Sequence, residues 1–250
     1  MMINKGASEL RLVRSAVGLV EHSIRVGTSR NGALQVRLAV PRCQDALLDL
    51  YIAEEELMGF RTPYYGIVWP SAMGLARAVG SHVAEGDRII ELGCGLGLGG
   101  IAAAVRARPS SVLLTDYDPA AARLGRLNAR LSGVASRVRS ATLDWTSLEE
   151  WPVAAFDLAI AADIIYEEEA CAKVAAVLSR TLRPGGRFLL ADGERRMHRA
   201  RLREHLARDN AFVPCGDETH MQVEHFGDST RESNVVIAAW ERTISSDDGT

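Results

Sequence analysis

Arg88 to Gly100 reads RIIELGCGLGLGG, and no other stretch limits the possible folds of this chain so strongly. Strand-forming residues lead into Glu91, glycines follow at Gly93, Gly95 and Gly97, and Ile101-Ala102-Ala103-Ala104 then favours a helix. A buried strand that turns through glycines into a helix start presents backbone N–H groups and the positive helix end to a ligand. Glycine allows positive φ there and leaves no Cβ between backbone and ligand. From Gly95 the segment fits the dinucleotide pattern GxGxxG through Gly95, Gly97 and Gly100; from Glu91 it reads E-x-G-x-G-x-G. The glycines alone leave the ligand open.

Twenty-five residues beyond Glu91, Val112-Leu113-Leu114-Thr115 makes a second apolar strand that ends on Asp116, followed by Tyr117. A carboxylate at the tip of the strand after a glycine turn accepts both hydroxyls of a ribose, in NAD and S-adenosylmethionine sites alike. The spacing predicts an adenosine-bearing cofactor without naming it.

With 250 residues, 47% of them hydrophobic, the chain has enough apolar mass for one large α/β unit. A formal charge of −3 argues against a generally basic nucleic-acid or membrane-surface binder and leaves local arginine clusters as a separate question. Cys43, Cys94, Cys171 and Cys215 are scattered without a CxxC, and His220 and His225 lack the spacing of a helical zinc pair. No metal site is expected, and the thiols fit a reducing cytoplasm. No apolar run reaches membrane-spanning length, and Arg11 and Arg14 interrupt Leu10 to Val20, so a soluble protein without a signal peptide is expected.

Residues 1–60 read as an accessory segment. Glu21 to Gly27 and Ala33 to Val40 are strand-like runs around Thr28-Ser29-Arg30-Asn31-Gly32, which predicts a β-hairpin. Gln44 to Met58 predicts one amphipathic helix with a solvated acidic face at Glu54-Glu55-Glu56. Tyr64, Tyr65 and Trp69 follow in an aromatic cluster that suits both packing and the attraction of a cation. Pro70 opens a helix expected to run to Val83.

Beyond the glycine corner, Asp118 caps a helix to Leu131, and Val138 to Leu143 is a third strand tipped by Asp144 and Trp145. There a carboxylate can accept from an adenine amino group and an indole can cover the purine. Phe156 to Ala162 is apolar enough for a central parallel strand and ends in Asp163-Ile164-Ile165-Tyr166. Placed beside the first strand at the switch point, Asp163 and Tyr166 face the reacting group. A helix over Glu168 to Leu182 leads through Pro184-Gly185-Gly186 to a fifth strand, Phe188 to Ala191, and the arginine-rich run Glu194 to Arg208 reads as a solvated helix, with a basic docking surface as the alternative. Gln222 to Phe226 and Asn234 to Trp240, joined by Gly227 to Ser233, predict a closing antiparallel hairpin. The tail from Ile244 reads as frayed. The expected fold is α/β, a Rossmann-like doubly wound seven-stranded sheet with an antiparallel C-terminal hairpin and a small N-terminal hairpin and helix; the cofactor-binding domain spans 61–243.

Tyr65-Gly-Ile-Val-Trp69-Pro70, Glu91-Leu-Gly-Cys-Gly-Leu-Gly97, Thr115-Asp116, Asp144-Trp145 and Ala162-Asp-Ile-Ile-Tyr166-Glu-Glu together resemble the class I, seven-β-strand methyltransferases, within them the family 16 lysine methyltransferases. That group includes enzymes acting on Hsp70 chaperones, on calmodulin and on the β subunit of electron transfer flavoprotein. The resemblance implies S-adenosylmethionine as cofactor, held by Trp69, by Glu91, Gly93, Cys94, Gly95 and Gly97, by Asp116 and Tyr117, and by Asp144, Trp145 and Ala162. It implies Asp163 and Tyr166 beside the acceptor, a lysine of a protein substrate. A small-molecule acceptor such as an N-heterocycle, a non-catalytic cofactor-binding module and an NAD-dependent oxidoreductase are the alternatives. Residues 1–58 and the arginine-rich run match no single member and would carry substrate choice.

Overall fold

A computed structural model of the chain describes residues 5–29, 32–58, 61–193, 198–208 and 211–244. Helix α1 (Lys5–Ala16) precedes strands β1 (Leu19–Ser29) and β2 (Gly32–Pro41), followed by α2 (Gln44–Ala53) and α3 (Glu55–Met58). Helix α4 (Pro70–Ala78) leads to β3 (Arg88–Leu92), α5 (Leu98–Arg106), β4 (Ser111–Asp116), α6 (Pro119–Leu131), β5 (Val138–Thr142) and β6 (Phe156–Ala162). The chain continues through α7 (Glu168–Thr181), β7 (Leu182–Gly193), α8 (His198–Ala207), β8 (Phe212–Pro214), β9 (Thr219–His225) and β10 (Asp228–Arg242).

The main sheet runs β5-β4-β3-β6-β7-β10, with β9 and β8 pairing the two ends of β10. Strands β3 to β7 pair in parallel and β10 lies antiparallel to β7. Strand β3 lies between β4 and β6, so the strand order reverses at its carboxyl end. A crevice opens there, because the helices that follow β3 and β6 leave on different sides. Ile89, Leu114 and Ile160 face one apolar cluster, Ile90, Leu92, Ala159 and Phe188 the other, as a sheet covered on both faces requires.

Several expectations need correction. The sheet has eight strands, because the three-residue β8 adds to the seven foreseen. Helix α1 was not foreseen: Arg11 and Arg14 are exposed while Val13 is buried, so the charges that break an apolar run make an amphipathic helix. The hairpin strands reach Ser29 and start at Gly32, leaving a shorter connection than expected. Its Arg30 and Asn31 lie outside the described residues. The helix expected over Gln44 to Met58 breaks at Glu54, whose φ of −110° and ψ of 36° leave the helical region. The helix expected to reach Val83 ends at Ala78, followed by a 3-10 turn over Val79–Ser81.

The turn signal at Pro184-Gly185-Gly186 is a bulge inside β7. Phe156 pairs Leu182 but Leu158 pairs Arg187, and Gly185 takes up a φ of +72°. The expected loop Gly227 to Ser233 is mostly strand, with a register shift between Asp228 and Glu232. In the arginine-rich run, Glu194 to Met197 lie outside the described residues. In α8, Arg199, Arg201 and Arg203 pair with Asp192, Glu168, Glu204 and Glu218, in keeping with a solvated helix.

The N-terminal elements lie against the same apolar cluster as α4, α5 and α6. Asn128 of α6 makes the polar link. Its Oδ1 accepts from Ala39 N at 2.7 Å, and its Nδ2 donates to Leu96 O in the glycine corner at 3.0 Å. Helix α1 lies beside α6, and a cavity between them and β5 is lined by Arg11, Arg14, Arg123, Arg126 and Arg130.

Candidate functional site

The glycine corner is held from both sides by carboxyl groups. Gly93, Gly95 and Gly97 have φ of 58°, 50° and 78°, which L side chains avoid. Glu91, buried at the end of β3, accepts from Gly100 N at 2.9 Å and so clamps the first turn of α5. Burial raises its carboxyl to a pKa of about 8, against the lowering effect of the N–H groups of Gly100 and Gly99. Asp116, at the tip of β4, accepts from Gly95 N at 2.9 Å and from Asp118 N at 3.0 Å. Burial raises it to about 6.

These groups open on a cavity of about 350 Å³. Trp69, Glu91, Gly93, Cys94, Gly95, Asp116, Tyr117, Asp144, Trp145, Ala162, Asp163 and Tyr166 all line it. Gly97 does not. It starts α5, and a Cβ there would meet Leu114 Cδ1 at 2.9 Å and Gly125 Cα at 3.3 Å, so its glycine serves helix packing. Gly100 does not line the cavity either; its N–H donates to Glu91, and a Cβ there would meet Leu114 Cδ2 at 2.5 Å. Two of the three glycines in the dinucleotide register therefore face protein. Cys94 is buried, which raises its thiol pKa and keeps it protonated.

One wall comes from the N-terminal third of the chain. Asp118 caps α6 through the N–H groups of Ala120 and Ala121, and its other oxygen accepts from the Tyr51 hydroxyl at 2.8 Å. Tyr51 lies 3.2 Å from the Tyr65 hydroxyl, and Arg61 reaches Glu9 at 3.1 Å and Asp118 at 3.6 Å. Burial raises both phenols well above their ordinary range, so they stay neutral donors. Sequence reasoning missed Tyr51, Arg61 and Glu9, which approach Asp118 only through tertiary packing.

The mouth of the cavity is aromatic. The Trp69 indole donates to Tyr64 O at 3.1 Å, and the Tyr64 ring sits 6.4 Å from Trp69 and 5.7 Å from Tyr166, edge-on to both. Asp144 is exposed, accepts from Thr146 N at 2.8 Å, and its carbonyl receives the buried Trp151 indole at 2.9 Å. Trp151 was also missed; it fixes the loop that carries Trp145.

Asp163 follows β6 with a φ of +58°, in the left-handed region, and its N–H donates to Ala191 O at 3.0 Å. A non-glycine residue held in that region at a strand tip is the kind of local strain that collects at functional sites. Ile164 behind it presses on the glycine corner: a Cβ on Gly93 would lie 2.8 Å from Ile164 Cγ2. Lys173 of α7, not singled out from the sequence, completes this end. Among the described residues no histidine lines the cavity and no His, Cys, Asp or Glu group could hold a metal.

A family model described as lysine methyltransferase matches residues 49–208. The electron transfer flavoprotein beta subunit lysine methyltransferase of Xenopus laevis is 27% identical over 174 residues, 69% of this chain and 67% of that protein. The protein N-lysine methyltransferase METTL21A of Danio rerio is 36% identical over 111 residues, 41% of this chain and 49% of that protein. The chain thus spans between half and two thirds of these relatives' lengths. Among solved structures, a putative RNA methyltransferase of Pyrococcus horikoshii aligns with a TM-score of 0.57 at 16% identity, over 78% of this chain and 98% of that one. The N-methyltransferase NodS of Bradyrhizobium japonicum aligns with a TM-score of 0.51 at 17% identity, over 69% of this chain and 94% of that one. At such identities the likeness concerns the fold.

Proposed function

The chain belongs to the lysine methyltransferase family, whose methyl donor is S-adenosylmethionine, and we propose that it methylates a lysine side-chain nitrogen of a protein at the cavity beside Asp163. The observation that carries this reading is the convergence of the glycine corner, Asp116 and the strained Asp163 on one cavity at the switch point. A reducing, cytoplasmic setting is part of the proposal and is supported by four free thiols. Among the described residues no helix is long and apolar enough to cross a membrane.

The residues present fit the cofactor. Asp116 is occupied by two N–H donors, and a carboxylate has room for about four, so it can also accept ribose hydroxyls. Gly93 and Gly95 leave bare backbone at the wall. Trp145 offers an apolar face for a purine, and Asp144 an acceptor for its amino group. When bound, the cofactor supplies a methyl group already activated by a sulfonium.

The chain's own residues then have positioning and proton work to do. An amine with a free pKa near 10.4 must arrive neutral. Asp163 and the main-chain carbonyls around it accept N–H hydrogen bonds and aim the lone pair inward. Tyr166, Tyr64 and Trp69 surround the approaching stem and favour the cation that forms on nitrogen. Incoming ammonium protons leave through the open mouth of the cavity to water.

The test is transfer of labelled methyl from S-adenosylmethionine to a cell extract separated into protein, nucleic-acid and small-molecule fractions. Label in a discrete protein band, on lysine, and lost with Asp163→Ala, is the expected result. Label confined to small molecules would replace the protein acceptor by a metabolite. Cofactor binding without transfer to any fraction would favour a binding module.

A further inference from the structure

Only two of the 29 basic residues are lysines, Lys5 and Lys173; the rest are arginines. Lys173 lines the same cavity as Asp163, Tyr166 and the glycine corner. Its position follows from helix geometry. Ala170, three residues earlier on the same face of α7, is buried and lines the cavity, and Tyr166 and Glu167 line it just before the helix begins. Glu169 stands four residues before Lys173, a common ion-pair partner on a helix, yet among the described residues Lys173 makes no ion pair. It is an exposed residue that lines the cavity, as a long stem with a charged head at a pocket rim can.

We propose that Lys173 is itself a methyl acceptor, modified in cis at the lip of its own active site. The inference rests on the methyltransferase reading above. The ammonium first releases a proton to solvent. The neutral nitrogen then attacks the sulfonium methyl carbon: the N–C bond forms, the S–C bond breaks, and its electron pair returns to sulfur as a thioether. The product keeps its positive charge but loses an N–H donor and gains apolar bulk, so the lip changes shape rather than charge. Arginine is a poor acceptor at a site that takes a neutral amine, because its guanidinium stays protonated under these conditions. A surface of arginines with one lysine at the cavity thus leaves few competing amines on the chain.

Two measurements test this. The first needs no turnover: the full chain is treated with an amine-acylating reagent, with and without S-adenosylhomocysteine, and peptides are quantified by mass spectrometry. Acylation of Lys173 should fall several-fold with the ligand while Lys5 stays unchanged; equal reactivity of Lys173 in both states would overturn the placement. The second measures methyl on the chain as purified and after incubation with S-adenosylmethionine alone. Methyl should be found on the Lys173 peptide, form at a per-molecule rate independent of protein concentration, and vanish in Lys173→Arg and Asp163→Ala. Methyl only on Lys5 or the terminal amine, a per-molecule rate rising with concentration, or an unmodified chain that still labels a protein in extract would each sink the proposal. A chain that binds cofactor but labels neither itself nor any extract fraction would remove the methyltransferase reading, and this inference with it.

Discussion

The carboxyl of Glu91 accepts from the backbone N–H of Gly100 at 2.9 Å, so β3 clamps α5 across the corner that both elements share. This bond has a pH signature. Burial raises Glu91 to about 8 from an ordinary 4.5. The native state therefore holds that proton more tightly than the unfolded chain. The stability it confers is full below 4.5 and is lost as pH rises through about 8. Urea unfolding of the cofactor-free protein should show stability falling over that window, by no more than about 1.4 kcal/mol per pH unit for one proton. Asp116 adds a slope that ends near its own value of about 6. Glu91→Gln should flatten the curve between pH 6 and 8; an unchanged slope there would assign it to another group.

Gly93→Ala tests the close approach of Ile164, just beyond β6, to the glycine corner. The backbone strain at φ +58° costs about 1–2 kcal/mol for an L side chain. The new Cβ also meets Ile164 Cγ2 at 2.8 Å. Calorimetric titration should show weaker cofactor binding, and adding Ile164→Ala should recover the part due to collision but not the part due to φ. Full recovery would mean that the backbone strain has no weight.

Tyr51→Phe removes the donor to a buried oxygen of Asp118 while keeping the ring. Leaving a buried acceptor short of a partner costs about 1–3 kcal/mol. The midpoint of urea unfolding should fall accordingly. A change below a few tenths would mean that Arg61, 3.6 Å away, already satisfies that oxygen.

What could be read from the sequence was whatever a strand and its following turn determine locally. Glu91, Asp116, Asp144 and Asp163 each sit at or beside a strand tip, and parallel strands bring their tips to one end of a sheet, so the four gather without further information. The pairing of Tyr51 with Asp118 depends on how α2 meets α6, which no local pattern encodes. The same holds for the groove of Arg11, Arg14 and Arg126, assembled from two distant helices. Pro184-Gly185-Gly186 marks a change of direction, but whether the strand resumes in register is decided by Arg187 pairing with Leu158. Lys173 escaped notice because a lone lysine on an exposed helix face is ordinary until the cavity below it is seen.

Asp163 does two separable things: it supplies a carboxylate and also holds a left-handed backbone at the end of β6. Asn keeps the tolerance for that backbone and the side-chain shape while losing the charge. Asp163→Asn should lower kcat by about 10²-fold or more, with cofactor Kd changed by less than about threefold, if the carboxylate orients the acceptor nitrogen. Gly accepts the same φ without strain, so Asp163→Gly should be equally slow despite a relaxed backbone. Activity retained in the Gly variant would mean that the site needs only the backbone shape. A matched loss of cofactor affinity in the Asn variant would make Asp163 a cofactor ligand. Stopped-flow binding and single-turnover methyl transfer on the same preparations distinguish these outcomes, because they read affinity and chemistry separately.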